Sequence, residues 1–233
     1  MKKILTAFVL GIMLITTGGL ASAESAQTGI RVIGEANIEK TPDQTTIQFV
    51  VETTGKTPEL AQAENSKISS QVYQELMGQG IGREQFKTTQ LSLDVQREYN
   101  KDGTNKVIGY RMTHRVSLKL DGTDKAGPMV TSLIASGVNR IDSVQFGLKD
   151  ESSAQREALA AAVKDAQSKA AVLAEASGRR IIGVRAIEEQ GVNLRRPVAL
   201  NYEMKSAADG VGQQQAWAGD ITVTATIIVT YDF

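Results

Sequence analysis

Three stretches of the chain, "ELMGQGIGREQF", "LIASGVNRIDSV" and "LAEASGRRIIGV", are built alike: a run at helical spacing stops at glycine, and strand-like residues begin a few positions later. A glycine just past a helix adopts the left-handed conformation that closes the last turn, so each stretch reads as a helix end feeding a strand. Repeated three times, this junction restricts the chain to repeated helix–strand units packed on one another. A helical bundle and an all-β sandwich are both excluded.

The period of the apolar residues supplies the remaining elements. "IRVIGEANIE" and "TTIQFVVET" alternate as strands, with Ile47, Phe49 and Val51 on one face of the second, and the "TPDQ" between them predicts a hairpin-like start. A helix follows with Thr57 as N-cap and Pro58 at its first position; Leu60, Ile68, Val72 and Leu76 make its apolar stripe, and Gly78 and Gly80 stop it. "FKTTQLSLDVQREY" and "KVIGYRMTHRVSLKL" are long strands joined through Asp102-Gly103, a hairpin dipeptide. In the first, Thr89, Leu91, Leu93 and Val95 alternate with Gln90, Ser92, Asp94 and Gln96. In the second, Tyr110, Met112, His114, Val116, Leu118 and Leu120 share one face, and Arg111, Thr113, Arg115, Ser117 and Lys119 the other.

"TDKAGPMVTSLIASG" predicts a short helix starting at Gly127 with Pro128 at its first position, because proline is disfavoured beyond the first turn. "RIDSVQFGL" is a strand with Val144, Phe146 and Leu148 on one face. "SSAQREALAAAVKDAQSKAAVLAEASG" is the strongest helix: Ser152 and Gln155 have capping-box spacing, Leu159, Val163, Ala166, Ala170 and Leu173 form the packing stripe, and Gly178 ends it. "IIGVRAIEE" and "DITVTATIIVTYDF" return to strand, and the regular alternation from Ile221 to Tyr231 places the last one inside a sheet. The fold class is α+β in the order ββαββαβαββ, with a ferredoxin-like βαββαβ centre and a mixed or antiparallel sheet packed by helices. The segment 191–219 reads as irregular and is longer than ordinary connections.

The N-terminus indicates export. Lys2 and Lys3, an apolar run from Ile4 to Ile15 and the small residues Ala21-Ser22-Ala23 have the layout of a secretory signal peptide over residues 1–23, cleaved near Ala23. That run is shorter than the ~20 residues that span a bilayer, and no later run approaches that length, so no transmembrane anchor is expected. A single domain is expected over residues 24–233, periplasmic or secreted. Loss of the two signal lysines takes the basic count from 26 to 24 against 26 acidic residues, about −2 in all. With no basic stripe beyond the doublets Arg179-Arg180 and Arg195-Arg196, nucleic acid is not an expected partner. There is no cysteine, which excludes thiol chemistry and disulfides.

Five stretches, "VIGEANIEKTPDQTTIQFVVET", "ELMGQGIGREQFKTTQLSL", "IGYRMTHRVSLKL", "SGVNRIDSVQFGL" and "ALAAAVKDAQSKAAVLAEASGRRIIGV", resemble in order and spacing the SIMPL-domain family of secreted bacterial proteins. The resemblance runs from about residue 29 to the C-terminus. It implies a periplasmic or envelope-associated protein of the kind described as oxidative-stress defence proteins and periplasmic immunogens, some of which form ring-like or channel-like oligomers. The family brings no catalytic residues. Its scaffold positions fall here on Gly34, Pro42-Asp43, Gly80-Ile81, Thr88, Gly109-Tyr110, Gly137, Phe146, Asp165, Leu173-Ala174, Gly178 and Gly219-Asp220. Two departures, Pro128 within a helix and "AWAGD" before the last strand, bear on local geometry.

For chemistry the residues offer little. His114 is the one histidine; a triad needs a nucleophile and an orienting group around it, and a zinc site needs three or four ligands, so it reads as a half-buried strand residue. Asp150-Glu151 and Glu188-Glu189 are adjacent and point apart. "NKDGTN" lacks the acidic ligands of a calcium loop. Met77, Met112, Met129 and Met204 read as core filler and Trp217 as an interface anchor or core cover. No catalytic, cofactor-binding or metal-binding residue is assigned. The expectation is an exported, non-catalytic envelope protein that forms a homo-oligomer, ring-like where the family resemblance extends to assembly, or binds an envelope protein, and supports oxidative or envelope stress tolerance. The alternatives are a carboxylate-based hydrolase of an envelope polymer and a monomeric binding module for a periplasmic partner.

Overall fold

The computed structural model describes residues 29–99, 101, 103–197 and 219–233. Residues 1–23, expected to be a signal peptide, together with Asp102, Met204 and Trp217, therefore lie outside the described residues. The elements are β1 (Ile30–Lys40), β2 (Gln44–Gly55), α1 (Pro58–Gly78), a 3-10 turn (Arg83–Gln85), β3 (Phe86–Tyr99), β4 (Asn105–Asp121), α2 (Ala126–Ala135), β5 (Arg140–Gly147), α3 (Glu151–Ala176), β6 (Gly183–Arg195) and β7 (Ile221–Asp232). They form two antiparallel sheets, β1-β7-β6 and β3-β4-β2-β5. The fold is α+β in the predicted order, and β2 through β5 make the ferredoxin-like unit.

All three junctions close in the same way. Gly80, Gly137 and Gly178 have φ of 80°, 104° and 66°. At each, the glycine N–H donates to the carbonyl three residues back (Met77, Ile134, Glu175) and the next N–H to the carbonyl five back (Leu76, Leu133, Ala174), over 2.8–3.1 Å. This is the Schellman closure. It lets helices of different length and composition hand over to a strand through one local device.

The hairpin-like start does not form. β1 pairs along its whole length with β7, from Ile30 opposite Tyr231 to Lys40 opposite Ile221, while β2 lies between β4 and β5. Thr41-Pro42-Asp43 instead crosses between the sheets, and Asp43 fastens the crossing. Its N–H donates to Gly147 O at 3.1 Å, its carbonyl accepts from Gly122 N at 2.8 Å, and its Oδ1 accepts from Lys149 N at 2.7 Å. Adjacent strands pair only about two-thirds of the time, and here each pairs with a strand distant in sequence.

The four-stranded sheet carries α1 and α2 on one face. Its core contains Ile47, Phe49, Val51, Val72, Leu76, Val116, Leu118, Leu133, Val144 and Phe146. Thr57 Oγ1 accepts from Leu60 N and Pro58 starts α1, as expected. Leu60, however, is exposed; the buried stripe is Ala61, Asn65, Ser69, Val72 and Leu76. α2 begins at Ala126, so Pro128 is its third residue, still within the turn whose N–H groups lack helical partners.

The three-stranded sheet carries α3. The inward face of this helix is six alanines at four-residue spacing, Ala154, Ala158, Ala162, Ala166, Ala170 and Ala174, set against Ile221, Val223, Ala225, Ile227 and Val229. Leu159 and Val163 flank this ridge and Leu173 faces outward, so the predicted stripe is rotated toward the small residues. A Cβ on Gly34 would sit 2.2 Å from Ala162 O and 2.8 Å from Ala166 Cβ. The helix touches the strand backbone, and only small residues fit. Its N-cap is Asp150, which accepts from Ser153 N at 2.8 Å, rather than Ser152 with Gln155. Leu148 packs into this core, away from Val144 and Phe146. β6 continues through Arg195, so residues 191–195 of the segment predicted to be irregular are strand.

Candidate functional site

His114 is buried between α1 and the four-stranded sheet. Its Nδ1 lies 2.9 Å from Ser69 Oγ; its Nε2 lies 2.9 Å from Thr88 Oγ1 and 3.4 Å from Tyr73 OH. Ser69 Oγ donates to Asn65 Oδ1 at 3.4 Å, and Asn65 Nδ2 donates to Val51 O at 2.8 Å and Met112 O at 3.4 Å. One proton arrangement satisfies the whole chain: Nδ1–H donates to Ser69, and Nε2 accepts from Thr88. Burial lowers the His114 pKa, favouring this neutral form. Both ring nitrogens are thus engaged in joining helix α1 to the edge strand β3, and Ser69 is buried mid-helix. The polar residues at stripe positions Asn65 and Ser69 are the sequence signal for this chain of bonds, visible only once α1 has a register against β4.

Other singled-out groups are occupied structurally. Asp150 caps α3, and Glu151 pairs with Arg196 at 2.5 Å. Glu188 and Glu189 are exposed on β6. Met112 and Met129 are buried and Met77 is exposed. Arg179 lies over the Phe233 ring at 4.5 Å. On the face of the four-stranded sheet away from the helices, Arg111, Glu52, Arg140, Asp142 and Arg115 form a chain of ion pairs at 2.6–3.3 Å. This gives the Arg111 and Arg115 face a self-paired polar surface.

The β3–β4 hairpin outruns its helix. Leu91, Leu93 and Val95 lie on the core face, opposite His114, Met112 and Tyr110, yet they are 61%, 43% and 45% exposed. Tyr99, Val107 and Ile108 near the tip are exposed as well. α1 packs on β2 and β4, with Asn65 and Ser69 at the level of Met112 and His114, so Leu91, Leu93 and Val95 on the edge strand lie beside its cover.

The four sheet edges are treated differently. At β1, the N–H of Glu35 donates to Asp165 Oδ2 at 2.8 Å, and Lys169 Nζ donates to Ile33 O at 2.9 Å; Asp165 and Lys169 pair with each other at 2.7 Å. Two side chains of α3 thus take the hydrogen-bonding place of a neighbouring strand, which the close approach at Gly34 permits. These bonds hold the Asp165 carboxyl below its usual range, first through Lys169 and then through the Glu35 N–H. Edge strand β6 carries register shifts at Val184/Ala186 and at Glu189/Gly191. Bulges of this kind blunt an edge. Edge strand β5 is short, at 8 residues. Edge strand β3 has register shifts at Thr88/Gln90 and Gln96/Arg97, and between them Gln90 to Gln96 pairs with β4 in one continuous register.

A ferredoxin-like sheet joined to a second sheet backed by an alanine-faced helix defines the class: an α+β scaffold in which Gly34, Gly80, Gly137, Gly178, Asp43 and Asp165 serve architecture. The chain belongs to the SIMPL family, whose model, described as "Protein of unknown function (DUF541)", matches residues 30–231. It is similar to "Uncharacterized protein YggE" of Edwardsiella ictaluri (strain 93-146), at 27% identity over 75% of this chain and 74% of that protein. It is also similar to "Uncharacterized protein YggE" of Escherichia coli (strain K12), at 24% identity over 93% of this chain and 86% of that protein. Among the described residues no helix is long and apolar enough to cross a membrane.

Proposed function

We propose that this protein is an exported, non-catalytic envelope component that works by self-assembly, presenting its β3–β4 hairpin to other copies. The observation that carries this reading is the row Leu91, Leu93 and Val95, apolar and exposed on an edge strand with free backbone groups. Unpaired, flat, apolar edges recruit further strands. The engagement of both His114 nitrogens within the helix–sheet interface favours a structural role for that residue over base catalysis. The reading includes a mature chain beginning at Glu24, folded as a single domain in the periplasm, and support of oxidative or envelope stress tolerance.

Light scattering of the chain from Glu24 is expected to give a mass above that of one copy, increasing with concentration. A strict monomer at every concentration sinks the assembly reading. For the stress role, a deletion strain is expected to be more sensitive to oxidant than its parent, and unchanged sensitivity counts against it. N-terminal sequencing of exported protein checks the cleavage site.

A further inference from the structure

The assembly reading puts the β3–β4 hairpin at the contact between copies but leaves open which strand it meets there and in what register, and the sheet edges answer both. Of the four edges among the described residues, β1 is clipped at Ile33 and Glu35 by Lys169 and Asp165, β6 is bulged twice and β5 is short, whereas β3 offers one continuous register from Gln90 to Gln96 between its two shifts. We infer that the partner of this edge is β3 of a second copy, paired antiparallel about a two-fold axis through Leu93.

The register follows from symmetry and side-chain chemistry. In a two-fold antiparallel pair, residues directly opposite share a sheet face, so the axis passes through a residue and each position k places below it meets the position k places above it. With Leu93 on the axis, Leu93 meets its own copy, and Leu91 meets Val95 of the second copy in both directions. All three exposed apolar side chains of each copy are then covered. On the other face Ser92 meets Asp94, a hydroxyl beside a carboxylate, and Gln90 meets Gln96.

The neighbouring registers are worse. An axis through Asp94 sets Asp94 against Asp94, and one through Gln96 sets Asp94 against Glu98; like charges directly opposite are destabilising. An axis through Val95 sets Leu93 against Arg97, and one through Ser92 sets Val95 against Thr89 at the bulge. The Leu93 register joins the two four-stranded sheets into one, with α1 and α2 of both copies on the same side.

The inference rests on the assembly reading, and the test separates the two. The chain has no cysteine, so Leu93→Cys, Leu91→Cys and Val95→Cys each introduce a single thiol at an exposed site. In the Leu93 register the Leu93→Cys thiols lie opposite each other, within the distance a disulfide needs. The Leu91→Cys thiols are four residues out of step, ~14 Å apart at ~3.4 Å per residue. Mild oxidation is expected to convert Leu93→Cys to covalent dimer about ten-fold faster than either other variant. Leu93→Lys, with an unchanged circular dichroism spectrum, is expected to lower the mass of the native assembly in light scattering.

Fastest cross-linking by Val95→Cys, equal rates for all three, or an unchanged mass for Leu93→Lys overturns this interface, while an assembled wild type leaves self-assembly itself intact. A monomeric wild type overturns both.

Discussion

The two halves of the molecule solve the same packing problem with opposite materials. In the four-stranded half, Phe49, Ile47, Leu76, Leu118 and Leu133 fill the space between sheet and helices, and buried Asn65, Ser69 and His114 are included among them. In the three-stranded half, α3 meets its sheet through six alanines, close enough that a Cβ on Gly34 would strike Ala162 O. The difference has consequences at the edges. Where the helix touches the strands, its flanking Asp165 and Lys169 reach the backbone of β1 and occupy its edge. Where large residues fill the interface, α1 packs on β2 and β4, and Leu91, Leu93 and Val95 of the edge strand β3 are left exposed.

The comparison can be broken from either side. The largest effect is expected from Val116→Asp, which sets a carboxylate in the four-stranded core, where Val116 is 1% exposed. A buried unpaired charge belongs to the class of changes costing more than ~4 kcal/mol, so this variant is expected to lose its cooperative thermal transition. Gly34→Val attacks the other half through overpacking, with an expected loss of roughly 1–3 kcal/mol in denaturant unfolding. An alanine-faced interface that absorbs valine at Gly34 at no cost would contradict the close contact described here.

A smaller effect separates the halves by pH. His114 has its pKa lowered from 6.5 by burial, so the unfolded chain binds more protons than the folded one between the folded value and 6.5. Stability is therefore full above about 6.5 and falls as pH drops through that window, levelling off below the folded pKa. His114→Gln is expected to remove this slope while leaving assembly unchanged. A slope that persists in the variant would place its origin elsewhere.

The smallest change is local. Asp165→Ala is expected to speed hydrogen exchange at the Glu35 amide with little change in global stability, whereas Asp165→Asn, which keeps an acceptor, restores much of the protection. Asp165 has a lowered pKa, so its contribution is present at neutral pH and lost as pH falls from the ordinary aspartate value through the folded one. An amide equally protected in all three proteins would show that the carboxylate does not hold the edge.

Several local features were legible in the residues because they depend on near neighbours. Thr57 and Pro58 start α1, the glycine junctions end all three helices, and the alternation around His114 gives its face correctly. The ferredoxin-like series followed from element order. Other expectations failed for a shared reason. Leu60 and Leu173 look like core residues by composition, yet both face outward. Hydrophobicity ranks leucine above alanine, whereas the close backbone approaches at Gly34 beside α3 and at Gly55 beside Ala61 of α1 favour the smaller side chain. The hairpin's apolar row was visible as alternation, but whether a helix covers it depends on which strands α1 lies across, and these are β2 and β4.

By itself the sequence determined the elements, their order and the way each helix closes, since caps, turns and periodicity act over a few residues. Only the tertiary structure decided that β1 leaves β2 for the C-terminal strand, that Asn65 and Ser69 reach His114, and that three sheet edges are shortened, bulged or clipped while β3 stands open. Those outcomes depend on which distant surfaces meet, and backbone proximity at one glycine settles which side chains reach across.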